Sequence, residues 1–163
     1  MNTVWVDPPE GVEDQDLDNN EDSVENPILS ESGKMIRETN QPDSTGQNVL
    51  IGEIVTYEIS IKIPAGSTLE NLGAVDQLSE GLAFVECLDV YVSDPGTVST
   101  DLPGGFDVVC PLDEGDPRIT ENGRRIALTF GNVTNESQDD QWLYVSYAVD
   151  VLNIEGNTNG VNL

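Results

Sequence analysis

The chain has 163 residues, of which 37% are hydrophobic, so one domain with a sizeable core is expected. Its 31 acidic and 6 basic residues, with no His, give a formal net charge of −25. This charge excludes recognition of nucleic acid through its phosphates, and the lack of His removes the commonest general base and transition-metal ligand. We therefore expect no nucleic-acid partner and no enzymatic activity, and a bound cation should be a hard one such as calcium.

The short apolar runs favour an all-β architecture. Gly, Pro, Asn and Asp separate them, and β-branched residues are frequent. No run approaches the ~20 residues of a membrane span, so we expect no membrane insertion.

Residues 1–7 are predicted to be a strand that stands apart from the main domain. The β-type segment at residues 2–6 is stopped at once by Asp7-Pro8-Pro9. Because a lone strand is not stable, this one must pair with something.

Residues 8–33 are predicted to be an acidic linker that contains a calcium loop. The stretch 14–25 has the carboxylate spacing of a twelve-residue calcium loop, although Asn19 replaces the usual Gly and Glu21 stands where an apolar residue is usual. The alternative is a solvated linker that binds no metal. The predicted ligands are Asp14, Asp16, Asp18, Asn20, Asp22 and Glu25.

Residues 34–163 are predicted to form one β-sandwich around the strand that ends at Ile63. From Val55 to Ile63 apolar and polar residues alternate, which is typical of a half-buried strand. The turn signal Asn122-Gly123 predicts a hairpin. About seven to nine strands indicate an immunoglobulin-like fold. The other predicted strands are 34–38, 69–78, 82–87, 90–92, 106–109, 125–130 and 141–152.

Two further features concern covalent modification. Cys87 and Cys110 bracket a loop-rich segment and are predicted to form a disulfide, the alternative being two buried free thiols. Asn132 and Asn135 each begin a glycosylation-type triplet in a surface loop, and such triplets also occur by chance.

Four segments carry a resemblance to a known family. Residues 34–36, 51–57, 75–82 and 147–153 resemble isopeptide-forming fimbrial domains, which belong with the conserved-repeat β-sandwiches of bacterial and archaeal surface proteins. The resemblance covers 34–163, and its more specific elements are Gly-x-x-Val-Thr-Tyr and Val-Asp-x-Leu-x-x-Gly-Leu.

The resemblance implies that the sandwich is closed by a strand from a neighbouring unit. The family's last strand has the form Asn-Thr-Ala-Thr-Val, and a similar segment stands here at the N-terminus instead. The alternative is a local hairpin or a frayed terminus. The implied donor strand comprises Thr3, Val4, Trp5 and Val6.

The resemblance also implies an autocatalytic cross-link. In the family a Lys amine attacks an Asn side-chain amide beside a buried acid, and ammonia is lost. The matching residues are Lys34 as nucleophile, Asp76 as acid and Asn2 of the adjoining unit as acceptor.

The favoured function is that of a structural subunit or repeat of an extracellular, cell-surface filament, whose partners are copies of itself joined head to tail. The alternative is an adhesin-type module for carbohydrate or protein, with variable loops in 89–117 and the aromatic residues Trp142 and Tyr144 as contacts.

Overall fold

The computed structural model describes residues 2–5, 21–24, 31–41, 49–110, 112 and 115–154, with the backbone alone for the first two ranges. The predicted all-β sandwich is confirmed, because two antiparallel sheets pack around one apolar core. The strands are β1 Asn2–Trp5, β2 Glu21–Val24, β3 Ser32–Thr39, β4 Ile54–Ile63, β5 Thr68–Gln77, β6 Leu82–Val92, β7 Val98–Thr100, β8 Ile119–Thr120, β9 Arg125–Asn135 and β10 Gln141–Val151.

The larger sheet has the strand order β3-β4-β10-β6, so the predicted organising strand lies inside it as β4. β4 and β10 run antiparallel over ten residue pairs, from Gln141 opposite Ile63 to Asp150 opposite Ile54. Their alternate residues point into the core, as the sequence pattern predicted. The buried residues of this face are Val55, Ile59, Ile61, Ile63, Leu143, Val145, Tyr147, Val149 and Val151.

The smaller sheet has the order β5-β9-β7, with β8 also paired to β9. The predicted hairpin is present, because Thr120 pairs with Arg125 across the turn that contains Asn122-Gly123. β9 continues beyond its predicted end through a bulge at Gly131, whose φ is 70°. Its buried residues change there from even to odd positions, from Ile126, Leu128 and Phe130 to Val133 and Asn135.

Several strand predictions differ from the structure. The two segments predicted at 82–87 and 90–92 form the single strand β6. The sequence pattern is interrupted between them because a register shift in the pairing with β10, between Ser146 and Tyr147, leaves Leu88 without a partner on that strand. The strand predicted at 106–109 is wrong, since Gly105–Val108 is a 3₁₀ helix entered through left-handed Gly104. The short strands β7 and β8 were not predicted as strands.

The N-terminal strands form a separate two-stranded sheet. β1 pairs antiparallel with β2, from Asn2 opposite Val24 to Trp5 opposite Glu21. β2 lies inside the stretch predicted as linker, and β3 begins at Ser32 rather than Lys34. In the described part of the chain, no helix is long and apolar enough to cross a membrane.

The Gly131 bulge gives a stability prediction. A Cβ at Gly131 would collide with the Asp101 carboxylate, which is held by the backbone N–H of Asn132 at 2.7 Å. Gly66 has a similar φ of 61° but open space around it, so it is the matched control. We expect Gly66→Ala to cost about 1–2 kcal/mol from backbone strain alone. Gly131→Ala should cost about 1–3 kcal/mol more, because the collision adds overpacking. Urea unfolding measures both, and equal costs would contradict the close packing at Gly131.

Candidate functional site

A charged pair joins the two sheets at one edge of the sandwich. Lys34 lies on β3, the edge strand of the larger sheet, and Asp76 lies on β5, the edge strand of the smaller one. The Lys34 ammonium donates to both carboxylate oxygens of Asp76, with Nζ–Oδ2 at 2.7 Å and Nζ–Oδ1 at 3.0 Å. The Lys34 side chain is 32% exposed and that of Asp76 is 13% exposed. The structure therefore brings together two of the three residues implied in cross-linking, although they are 42 positions apart.

Two tyrosines complete the site from the interior strands. The hydroxyl of Tyr147, on β10, donates a short hydrogen bond to Asp76 Oδ2. The Lys34 Nζ lies 4.3 Å from the centroid of the Tyr57 ring, close enough for a cation–π contact. The rings of Tyr57 and Tyr147 stack with centroids 6.0 Å apart. Asp76 thus accepts from an ammonium on one side and a phenol on the other.

The electrostatics keep both phenols protonated. Burial and the Asp76 carboxylate raise the pKa of Tyr147 far above its ordinary value, with burial the larger cause. The same two causes raise the pKa of Tyr57. Tyr147 is therefore a permanent hydrogen-bond donor that orients the Asp76 carboxylate toward Lys34.

Sequence reasoning did not include these two tyrosines in the site. The alternation of β4 and β10 placed both on the inward faces, which was a usable signal. The pairing register puts them directly opposite one another, with Tyr57 facing Tyr147. The contact between Asp76 and Tyr147 depends on how the smaller sheet packs on the larger one, which the sequence alternation does not predict.

A groove of about 480 Å³ opens beside the ion pair, between the edges of β3 and β5. Its floor is apolar and includes Ile59, Ile61, Leu72 and Ala74. On β3, all four residues from Ser32 to Met35 are exposed, and Met35 is 60% exposed. Within the described residues, no strand pairs with the outer edge of either β3 or β5. No described strand therefore covers the sandwich at this corner.

The implied donor strand has a partner within its own chain. Thr3, Val4 and Trp5 belong to β1, which pairs with β2, and Val6 lies outside the described residues. The backbone of Asn2 faces Val24, and neither β1 nor β2 belongs to the sheets of the sandwich. A single chain thus has the local hairpin that was the alternative, while donation to a second copy stays a prediction.

The calcium loop also stays a prediction. Asp14, Asp16, Asp18, Asn20 and Glu25 lie outside the described residues. Asp22 lies in β2, where its backbone pairs with Val4.

The structure joins Cys87 and Cys110 in a disulfide, with the two Cα atoms 5.6 Å apart. The bond ties the 3₁₀ segment to β6. Nearby, the Arg118 guanidinium binds both Asp116 and the carbonyl of Val109. Hydrogen bonds from Arg118 lower the pKa of Asp116 to about 2. The long loop predicted as variable is thus held by the disulfide and by the hydrogen bond from Arg118 to the Val109 carbonyl.

The two glycosylation candidates differ in their surroundings. Asn135 is 1% exposed, and its amide nitrogen donates to the carbonyls of Ile63, Pro64 and Asp139. The folded chain therefore leaves no room for a glycan on this amide, and the expected position of Asn135 in a surface loop is corrected to a buried one. Asn132 is partly exposed, and its amide nitrogen donates to Asp101 at 2.8 Å.

The aromatic residues proposed as adhesin contacts lie on the outer face of the larger sheet. Tyr144 stacks on Tyr91, with ring centroids 4.8 Å apart. The Tyr91 hydroxyl donates to Glu58, which also pairs with Arg37 at 2.8 Å. Trp142 is two residues from Tyr144 on β10 and is partly exposed. The Tyr144 ring therefore already has a partner within the chain.

No protein-family model and no curated protein matches the sequence. The chain is similar to the structure of the pilus backbone RrgB from Streptococcus pneumoniae, with 24% identity over 76% of this chain and 46% of that one, at a TM-score of 0.40. The full-length RrgB pilus protein from the same organism gives 25% identity over 75% of this chain and 20% of that one, at a TM-score of 0.38. The chain thus spans less than half the length of either.

The Tyr147 hydrogen bond gives a second prediction. Tyr147→Phe keeps the buried ring but leaves Asp76 without its phenol donor, so we expect a loss of about 1.5–3 kcal/mol of unfolding free energy. Tyr57→Phe is the control, since its ring still faces Lys34, and it should cost less than about 0.5 kcal/mol. Thermal and urea unfolding at neutral pH measure both variants. A Tyr147→Phe cost no larger than that of the control would show that the hydrogen bond contributes nothing to stability.

Proposed function

We propose that the chain is a structural subunit of an extracellular filament or surface fibre, in which copies join head to tail by strand complementation. The observation that carries the proposal is the groove between β3 and β5, which no described strand covers. Unpaired strand edges beside an apolar floor are a template for an added strand, and natural proteins seldom leave such edges open.

The N-terminal strand fits the chemistry of this groove. Side chains alternate along a strand, so Asn2 and Val4 share one face and Thr3 and Trp5 the other. If β1 runs antiparallel to β3 with Asn2 opposite Lys34, Val4 comes opposite Ser32 and faces the apolar floor. The inward face of the added strand then meets charged groups at one end of the groove and aliphatic side chains along the rest.

A second copy is the proposed source of the strand. A strand given by one copy to a different surface of the next makes a heterologous contact, which propagates into a fibre when the rotation between copies does not close a ring. The disulfide suits an oxidising, extracellular location. With a charge of −25 per copy, subunits repel one another, so assembly should be favoured by salt that screens this repulsion.

The proposal predicts a face-specific effect of charge in β1. Val4→Asp would place a carboxylate on the apolar floor of the groove, so we expect at least about tenfold fewer polymers than wild type. Thr3→Asp adds the same charge on the opposite face and is the matched control, which should polymerise nearly normally. Negative-stain electron microscopy and sedimentation of the purified chain in molar salt measure both. If Val4→Asp polymerises as well as Thr3→Asp, β1 does not enter the groove.

A covalent step in the assembled fibre is also proposed. The Lys34 amine, after giving a proton to Asp76, attacks the side-chain amide carbon of Asn2 from the neighbouring copy. The new bond between the Lys34 nitrogen and the Asn2 carbon forms, and the bond from that carbon to the Asn2 side-chain nitrogen breaks. The leaving NH2 group takes up one proton from the attacking nitrogen and the proton held by Asp76, so it departs as ammonium and Asp76 is again a carboxylate. The pair at 2.7 Å, shielded by Tyr57 and Tyr147, supports the roles of Lys34 and Asp76.

The covalent step predicts polymers that survive boiling in detergent, with the mass of one ammonia lost at each junction. Lys34→Arg keeps a cation beside Asp76 but lacks a nucleophilic amine at neutral pH, because the guanidinium is always protonated. This variant should form polymers that dissociate completely in detergent. Gel electrophoresis and intact-mass spectrometry measure the outcome. Wild-type polymers that fall apart to unmodified monomers would refute the bond while leaving strand complementation intact.

A further inference from the structure

Among the described residues, the β1–β2 hairpin has no third strand beside it. Its four residue pairs form a sheet separate from the sandwich, and among the described residues β1 pairs with β2 alone. An isolated two-stranded hairpin is at best marginally stable in water, and a third strand is usually required. Among the described residues, the chain thus has a sheet of only two strands and a larger sheet whose edge strand β3 has one free edge.

Pairing with β2 does not prevent β1 from entering the groove. A strand inside a sheet pairs along both of its edges, and β2 occupies one edge of β1. The second edge can pair with β3 of a neighbouring copy without breaking any hydrogen bond of the hairpin. Donation of β1 alone would instead sacrifice those bonds before new ones form.

The charges favour β2 as an outermost strand. β2 contributes Glu21 and Asp22, whereas the four residues of β1 carry no ionisable side chain. Natural sheets protect their exposed edges with charged residues, which discourage further strand pairing. An added β1 without β2 would leave an uncharged edge, and β2 covers that edge with an acidic one.

We infer that the donated element is the whole β1–β2 hairpin, which extends the larger sheet of the next copy to the order β2-β1-β3-β4-β10-β6. This inference rests on the proposed strand complementation and specifies its partner. The hairpin supplies the missing strand through β1 and ends the sheet through β2. Side-by-side association of filaments through this edge is thereby suppressed.

An engineered disulfide between β1 and β2 tests whether the hairpin is donated intact. Thr3 and Ser23 are paired in the register. In the proposed docking, with Val4 toward the groove, strand alternation places Thr3 and its partner Ser23 on the opposite face. The double variant Thr3→Cys, Ser23→Cys, oxidised and checked by mass spectrometry for an intrachain bond, should elongate within about twofold of wild type, since the hairpin enters intact. Thr3→Ser with Ser23→Ala is the uncross-linked control. A locked variant that stays monomeric while the control polymerises would overturn the inference and show that β1 must leave β2.

A second variant disrupts the pairing of β1 with β2, and so distinguishes donation of the whole hairpin from donation of β1 alone. Successive N–H groups of a strand point to opposite edges, so Asp22→Pro with Ser23→Pro must remove one that faces β1. We expect at least about tenfold slower elongation, because the hairpin is lost. Asp22→Asn with Ser23→Ala controls for the charge. Faster elongation of the proline variant would favour release of β1 and overturn the inference. If the wild-type chain itself forms no polymer in molar salt, the proposed function fails and the inference fails with it.

Discussion

The pairing of β4 with β10 is the interaction on which the rest of the structure depends. Ten consecutive residue pairs hold these strands in register, and their inward faces supply the centre of the core. A slip by one residue would turn every apolar side chain toward the outer face, so the register is strongly fixed. The same register places Tyr57 opposite Tyr147, and the ion pair of Lys34 and Asp76 lies on this aromatic support.

Sequence patterns predicted the regular strands well and failed where bulges reset the alternation. In β4 and β10 every second residue, on the inward face, is apolar, and both strands were predicted nearly to their ends. In β6 the buried residues Phe84, Cys87 and Val90 are three apart, because the pairing irregularities skip Val85 and Leu88. Single-sequence alternation cannot show such a skip, since it depends on which residues the partner strand offers.

The candidate site was predictable only in part, for a related reason. Strand alternation indicates that Lys34 and Asp76 each lie on a strand, but only the resemblance to a family placed them together. Their contact depends on how the two sheets pack, and therefore on side chains far along the chain. The burial of Asn135 likewise depends on residues that are distant in sequence. Its amide nitrogen donates to carbonyls at the end of β4 and in the turn before β10. The three-residue glycosylation motif does not predict these hydrogen bonds.

The charge distribution explains why an ion pair can occupy an otherwise apolar seam. Five of the six basic residues contact carboxylates, namely Lys34, Arg37, Lys62, Arg118 and Arg124. Exposed pairs contribute little to stability, and solvent screens the Lys34 end of this pair, whereas the Asp76 carboxylate is only 13% exposed and is screened less. Lys34 is placed where its charge is offset by Asp76 and by the Tyr57 ring face, so the corner tolerates a cation without closing over it. The chain thus combines a strongly acidic surface with a cation at a groove between two strand edges that no described strand pairs with. A neutral amide on an incoming strand can approach that cation without adding to the charge repulsion between copies.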